Sequence, residues 1–277
     1  MPLVFETFKP YAVFHAAAYK HVPLLEGQVR EVIKNNALGT RIIADLAHET
    51  EVAKFVLIST DKAVNPSSLM GACKRVAEIY CQQLASRSRT NFITVRFGNV
   101  LGSAGSVIPR FQQQIRDGGP ITITDKRMTR YFMSIPEASQ LVVQSAAMCK
   151  GGEIYVLDMG KPIKIVQLAE DLVSLSGLPK ESIEIEFTGV RPGEKLYEEL
   201  YFDDEATLPT SHVKVRAAYA REFQNGGAAS SINALIALAD ESSVDVKSAI
   251  VAIAGSFQAL EDSEQLEKRR PADEIFR

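Results

Sequence analysis

A chain of 277 residues, 46% apolar and 23% charged, is long enough to bury a full core as one large domain or two small ones. It contains no apolar run of about eighteen residues that could span a bilayer, and its net charge of −3 gives no general attraction for nucleic acid or anionic membrane, so any phosphate binding has to be local. Three cysteines (Cys73, Cys81, Cys149) without CxxC spacing or a nearby histidine pair argue against a disulfide framework and against a metal site, and fit a reducing cytoplasm.

Tyr11 to Ala18 (YAVFHAAA) is a short apolar run ending in small residues, which predicts a buried strand entering a loop. From Val29 to His48 the apolar positions Val32, Ile33, Leu38, Ile42, Ile43 and Leu46 follow a period close to 3.6 and predict a helix, headed near Asn36. Lys54 to Ser59 predicts a second buried strand, Leu69 to Leu84 a second helix and Phe92 to Phe97 a third strand. Buried strands alternating with amphipathic helices mean crossover units and a parallel sheet, which binds ligands at the carboxyl ends of its strands.

After Gly98 the elements shorten. Helices are predicted over Val107–Asp117, Pro136–Met148 and Ile165–Ser176, and strands over Ile121–Thr124, Ile154–Leu157 and Ile183–Phe187. Gly193 to Tyr201 is read as the start of another helix, and Ala228 to Leu260 as one or two more; the charged tail after Leu260 is expected to be loose. The expected division is a sheet domain over 1–100, a mainly substrate-binding lobe over 101–222 with some segments returning to the sheet, and a helical, partly loose extension over 223–277.

The strongest chemical signal is Ser59, Thr60, Asp61 and Lys62 at a strand end, beside Met70 and Lys74 on the next helix. Residues four apart share a helix face, so Met70 and Lys74 address the same place. This pattern resembles the extended short-chain dehydrogenase/reductases, in which a tyrosine and a lysine occupy that helix face. Met70 stands where the tyrosine is expected, and a thioether cannot exchange a proton.

LISTDKAVNPSSLMGACKRVAE resembles in particular the nucleotide-sugar 4,6-dehydratases of bacterial polysaccharide synthesis, and among them the membrane-anchored UDP-N-acetylglucosamine subgroup that carries methionine in place of the tyrosine. FHAAAYKHVPLLE, NNALGT, VRFGNVLGSAGSVIPRF and GVRPGEKLYEEL agree, so the resemblance runs from Phe14 to Tyr201. It implies a Rossmann-like α/β fold with a smaller lobe, a nicotinamide cofactor (NAD or NADP) and a UDP-sugar substrate. It also implies a homo-oligomer in the full-length protein, which would be anchored in the inner membrane with this part on the cytoplasmic side.

By that resemblance Lys74 holds the nicotinamide ribose, and Ala16, Ala17, Ala18, Tyr19 and Lys20 approach the cofactor. Thr60 bonds the C4 oxygen, Asp61 protonates the departing C6 hydroxyl and Lys62 removes the C5 proton. For this Lys62 must be neutral, and burial beside Lys74 and the oxidised nicotinamide is expected to lower its pKa. The base at C4 is open between Asp61 and Lys62. Asn99, Ser106, Val107, Arg110, Arg130, Arg191 and Glu194 are the implied substrate contacts, with Arg191 as the pyrophosphate clamp. Asn36 is expected to support the site's geometry, and His15 and His21 receive no catalytic role.

No glycine-rich turn such as GxGxxG opens the chain, so the first strands of the cofactor-binding sheet are expected to lie outside it, and the segment on its own need not be active. Two rival readings are a nucleotide-sugar 4-epimerase, against which the Thr60, Asp61, Lys62 set argues, and a non-catalytic module that binds a partner.

Overall fold

The computed structural model describes residues 1–202, 207–218, 232–234 and 237. The chain opens with α1 (Pro2–Phe8), β1 (Ala12–His15) and α2 (Val22–Leu25), then a long helix made of α3 (Val29–Val32), a wide π turn over Ile33–Leu38, and α4 (Gly39–Glu49). β2 (Lys54–Ile58), α5 (Leu69–Ala85) and β3 (Asn91–Arg96) follow. Shorter pieces come next: β4 (Asn99–Val100), α6 (Val107–Arg116), β5 (Ile121–Ile123), β6 (Thr129–Arg130) and β7 (Phe132–Met133). The rest is α7 (Ile135–Met148), β8 (Ile154–Leu157), β9 (Ile163–Lys164), α8 (Ile165–Leu175), β10 (Ile185–Phe187), β11 (Thr207–Pro209) and β12 (Val215–Ala218).

Six strands form the main sheet in the order β1-β2-β3-β8-β12-β11. The first four run parallel, and β12 and β11 add two antiparallel strands at one edge. Alternation along each strand sorts the core into two layers. Phe55, Leu57 and Phe92 point to the face covered by α5 and the long helix, where Val76, Ile79 and Leu84 meet them. Val56, Ile93, Val95, Tyr155 and Leu157 point the other way, onto Ala138, Leu141, Val142 and Ala146 of α7. Helices on both faces of a mostly parallel sheet are the Rossmann-like α/β arrangement that the sequence predicts. α5 is buried along almost its whole length, because it is the crossover between two central strands. Each of its fully buried large side chains contributes roughly 1.5–3 kcal/mol.

A smaller lobe has its own core, in which Phe111 and Ile115 of α6, Ile121 and Ile123 of β5, and Ile165, Ala169 and Val173 of α8 pack together. β10 pairs with β5 in parallel, while β4 pairs with β7 and β6 with β9, which ties the lobe to the carboxyl edge of the sheet.

Two sequence expectations fail here. Gly193 to Tyr201 is a run of turns and bends, because its carbonyls bond elsewhere: Leu196 O accepts from Thr129 N and Arg130 Nη1, and Lys195 O accepts from Arg130 Nη2. Asn36 does not head a helix but sits within the π turn of a continuing one. Of the helices expected over 228–260, Ile232 is buried in the core cluster that α4 and α5 share; most of that stretch, and the charged tail, lie outside the described residues.

Candidate active site

β2 ends at Ile58, and Thr60 caps the short 3-10 turn Asp61–Ala63 by accepting from Lys62 N (3.3 Å). The turn is tied to the end of β3, since Ser59 N donates to Val95 O and Asp61 N to Phe97 O. From the other side α5 is pressed onto it. A Cβ at Gly71 would lie 2.1 Å from Lys62 O, so only glycine permits this approach of helix to turn. The start of α5 is held by Ser68, whose hydroxyl accepts from Gly71 N (3.1 Å), and by Glu26, whose carboxylate accepts from Leu69 N (2.8 Å).

Beneath the turn lies a buried ionic network. Glu78 accepts from Ser59 Oγ (2.6 Å), from Arg96 (2.8 and 2.9 Å) and from Arg75 (3.1 Å). Burial alone would raise the Glu78 carboxyl, but Arg96, Arg75 and the Ser59 hydrogen bond hold it below the usual range. Phe202 lies over both guanidinium groups, 4.8 Å from that of Arg75 and 5.3 Å from that of Arg96.

Above the turn opens a cleft of about 960 Å³ lined by Thr60, Lys62, Met70 and Lys74 together with Asn99, Ser106, Val107, Arg110, Arg130, Arg191 and Glu194. The structure therefore brings the expected substrate contacts and most of the expected catalytic groups to one place. Asp61 lies one layer deeper, fully buried behind Thr60 and Lys62. Its Oδ1 accepts from Thr60 Oγ1 (2.8 Å) and Lys62 Nζ (2.9 Å), and its Oδ2 has no partner among the described residues.

For Lys62 the shift runs opposite to the expected lowering. Burial would lower its pKa, but the charges of Asp61 and Glu198 and the Asp61 hydrogen bond outweigh burial and Arg130, and the net shift is upward. Lys74 Nζ donates to Ile58 O (2.6 Å), and burial brings its pKa to about 8 against the charges of Glu78 and Cys81.

Ala16, Ala18, Tyr19 and Lys20 line the same cleft at the end of β1, whereas Ala17 is not part of its wall. The small side chains and the neighbouring Lys74 fit the ribose and nicotinamide end of a dinucleotide. Asn36 fixes this loop by accepting from Tyr19 N (2.8 Å) and donating to Tyr19 O (2.9 Å). The carbonyl of Asn36 in turn accepts from Thr40 Oγ1 (2.8 Å), which also bonds His15 Nε2 (3.0 Å). Burial, aided by the charge of Lys74, lowers the His15 pKa to about 4, so this histidine is a neutral structural link. Across the mouth Lys20 Nζ donates to Ser103 Oγ (3.2 Å), and His21 packs against Gly105.

On the lobe side Ser106 stands at the start of α6 with a buried hydroxyl that has no partner among the described residues, open to a ligand oxygen. Arg110 donates to Thr122 Oγ1 (2.5 Å), and Arg191 is paired with Glu194 (2.7 Å). The guanidinium of Arg130 is spent on the carbonyls of Thr129, Lys195 and Leu196. Sequence reading missed Glu198, which lines the cleft beside Lys62 (3.5 Å) and Arg130 (3.6 Å). Burial and the charge of Asp61 raise its pKa against the pull of Lys62, Arg130 and Lys195. Its signal was the adjacent acidic pair Glu198, Glu199 in the last motif.

The sequence pattern of the family described as "Polysaccharide biosynthesis protein" matches residues 1–220. The capsular polysaccharide biosynthesis protein CapD of Staphylococcus aureus is 64% identical over 198 residues, which cover 71% of this chain and 33% of that protein. A UDP-N-acetylglucosamine 4,6-dehydratase (inverting) of Campylobacter jejuni is 38% identical over 200 residues, 71% of this chain and 58% of its own length. The X-ray structure of Pen from Bacillus thuringiensis superposes with a TM-score of 0.70 at 37% identity, covering 75% of this chain and 65% of Pen. The chain thus spans between a third and two thirds of each of these relatives.

Proposed function

Since this chain belongs to the polysaccharide biosynthesis protein family, we propose that it forms the catalytic and substrate-binding part of an NAD(P)-dependent UDP-N-acetylglucosamine 4,6-dehydratase. The observation that carries this reading is the Thr60–Asp61–Lys62 turn, clamped by Gly71 against the helix that bears Met70 and Lys74, facing Asn99, Ser106 and Arg191 across one cleft. The division of labour follows the packing: the sheet edge with Ala16, Ala18, Tyr19, Lys20 and Lys74 takes the cofactor, and the lobe takes the UDP-sugar. The proposed setting is the cytoplasmic face of a longer, membrane-anchored protein. No helix among the described residues is long and apolar enough to cross a membrane.

When bound, the nicotinamide supplies a hydride acceptor for C4 and a hydride donor for C6. The residues of this chain manage the protons. Met70 has none to exchange, and Thr60 Oγ1 already donates to Asp61, so the C4 hydroxyl passes its proton to Thr60 Oγ1 as the Thr60 proton moves to Asp61. The same carboxyl, now protonated, returns the proton through Thr60 to the departing C6 oxygen, which leaves as water. One proton thus travels from O4 to O6, as conversion of an alcohol into a ketone with loss of water demands. Lys74 orients the ribose, and Arg191 exchanges Glu194 for the pyrophosphate.

The test is conversion of UDP-N-acetylglucosamine in the presence of NAD or NADP, followed by mass spectrometry and NMR. A 4-keto-6-deoxy product lighter by one water is expected. A C4 epimer of unchanged mass would replace this reading with an epimerase.

A further inference from the structure

The cleft has the sheet with its Thr60–Asp61–Lys62 turn on one side and the lobe on the other, and the irregular segment 193–199 is bonded to both. From the lobe, Thr129 N and Arg130 Nη1 donate to Leu196 O (3.1 and 3.2 Å), and Arg130 Nη2 donates to Lys195 O (2.8 Å). From the sheet side, Ser67 Oγ donates to Gly193 O (3.1 Å) and Lys195 Nζ donates to Val64 O (3.0 Å). A Cβ at Gly193 would lie 2.8 Å from Glu26 Oε1 and 3.0 Å from Ser68 Cβ, so the segment is pressed against the start of α5 as closely as glycine allows.

The last tie lies outside the cleft. Glu199 accepts from Asn65 Nδ2 (2.5 Å) and from Lys195 Nζ (3.0 Å), and neither Asn65 nor Glu199 is part of the cleft wall. Asn65 takes a left-handed backbone conformation (φ 42°), which asparagine tolerates better than most residues with a side chain. The side chain of Glu199 is 43% exposed, and ion pairs at that exposure contribute little to stability. Their placement points instead to Arg191. This residue lies between two anchors, since Thr188 N donates to Ile123 O of β5 and Gly193 O accepts from Ser67. The position of its guanidinium, now paired with Glu194, therefore depends on where segment 193–199 is fastened.

We propose that Asn65 and Glu199 are positioning residues for the nucleoside diphosphate: they fasten segment 193–199 to the chain ahead of α5 and so hold Arg191 where its planar fork meets the phosphate oxygens. This rests on the UDP-sugar reading above. A bidentate contact has to be held to within about 0.5 Å, so loosening a remote tie lowers affinity without touching the ligand.

The test is binding of UDP to the 277-residue chain by calorimetry, in a cycle with Arg191. Asn65→Asp keeps a residue that tolerates the left-handed turn but sets a second carboxylate against Glu199. It should weaken UDP binding by roughly tenfold, within the range of residues coupled through one hydrogen-bond network, and add nothing to the loss caused by Arg191→Ala. Asn65→Asp combined with Glu199→Gln reverses donor and acceptor and should recover most of the affinity. Exchange of the C5 hydrogen of the UDP-4-keto-6-deoxy sugar needs no hydride transfer, so its rate in deuterated water can be followed by NMR without cofactor. There Asn65→Asp should raise the half-saturating sugar concentration and leave the maximal rate within about twofold. Unchanged UDP affinity in Asn65→Asp, a loss that persists in full beside Arg191→Ala, a double variant as weak as the single one, or an effect confined to the maximal exchange rate overturns the positioning role. If Arg191→Ala itself leaves UDP affinity unchanged, the diphosphate does not meet Arg191 and the proposal falls with that reading. A chain that shows the expected UDP cycle and never exchanges C5 upholds the positioning role and overturns the dehydratase reading.

Discussion

Gly71→Ala tests whether the contact between α5 and the Thr60–Asp61–Lys62 turn sets the geometry of the site. The added methyl group would begin 2.1 Å from Lys62 O and 3.0 Å from Lys62 C, against an ordinary contact of 3.4 Å, so helix and turn must separate by about 1.3 Å. The neighbouring atoms are backbone and cannot swing aside. Overpacking of this kind costs about 1–3 kcal/mol, offset by up to ~1 kcal/mol of better helix propensity. The melting temperature should then fall by several degrees, at about 2–4 °C per kcal/mol. The effect on chemistry should be larger, because a displacement of about 1 Å at reacting groups can cost ~10²-fold in rate. Differential scanning calorimetry and the C5 exchange rate, measured on the same preparation, separate the two effects. A Gly71→Ala chain as stable as the original and exchanging at the original rate would show that the turn does not depend on α5 for its position.

Arg191→Ala should weaken UDP-sugar binding by about 1.5–3 kcal/mol, the scale of a charge-assisted hydrogen bond; unchanged affinity in calorimetry would remove Arg191 from the site. Met70→Leu should keep most of the C5 exchange rate, because the side chain supplies shape and no proton; a loss as large as that of Lys62→Ala would show otherwise. His15 is neutral in the fold, with a pKa of about 4, and titrates near 6.5 when unfolded. Its contribution to stability is complete above about 6.5 and is lost as pH falls from there toward 4, so His15→Gln should flatten the decline in melting temperature over that window. An equally steep decline in the variant would assign the loss to other groups.

The central elements were legible because their signals are local. Phe55, Val56 and Leu57 form an apolar run too short for a helix, and Ser68 and Ser134 announce helix starts, each accepting from the amide three residues on. What escaped depended on distant partners. Leu196 and Lys195 carry helix-like spacing, but Arg130, 65 and 66 residues earlier in the chain, claims their carbonyls. The direction of the Lys62 shift was misjudged because Glu198, the second carboxylate beside it, stands in a different motif. β11 and β12 gave little signal, since strands of three and four residues alternate too briefly to count.

The wide turn over Ile33–Leu38 has a consequence for how chain length can vary here. A π turn holds one residue more than a regular helix over the same rise, and so resets the angular phase of every side chain after it. Removing one residue would let the helix close normally, yet it would rotate the buried Thr40, Ala44 and Ala47 away from the sheet and detach Asn36 from Tyr19. Substitutions along this helix can be absorbed one at a time, but insertions and deletions cannot, because the loop at the cleft mouth and the core face of α4 are kept in register by the same extra residue.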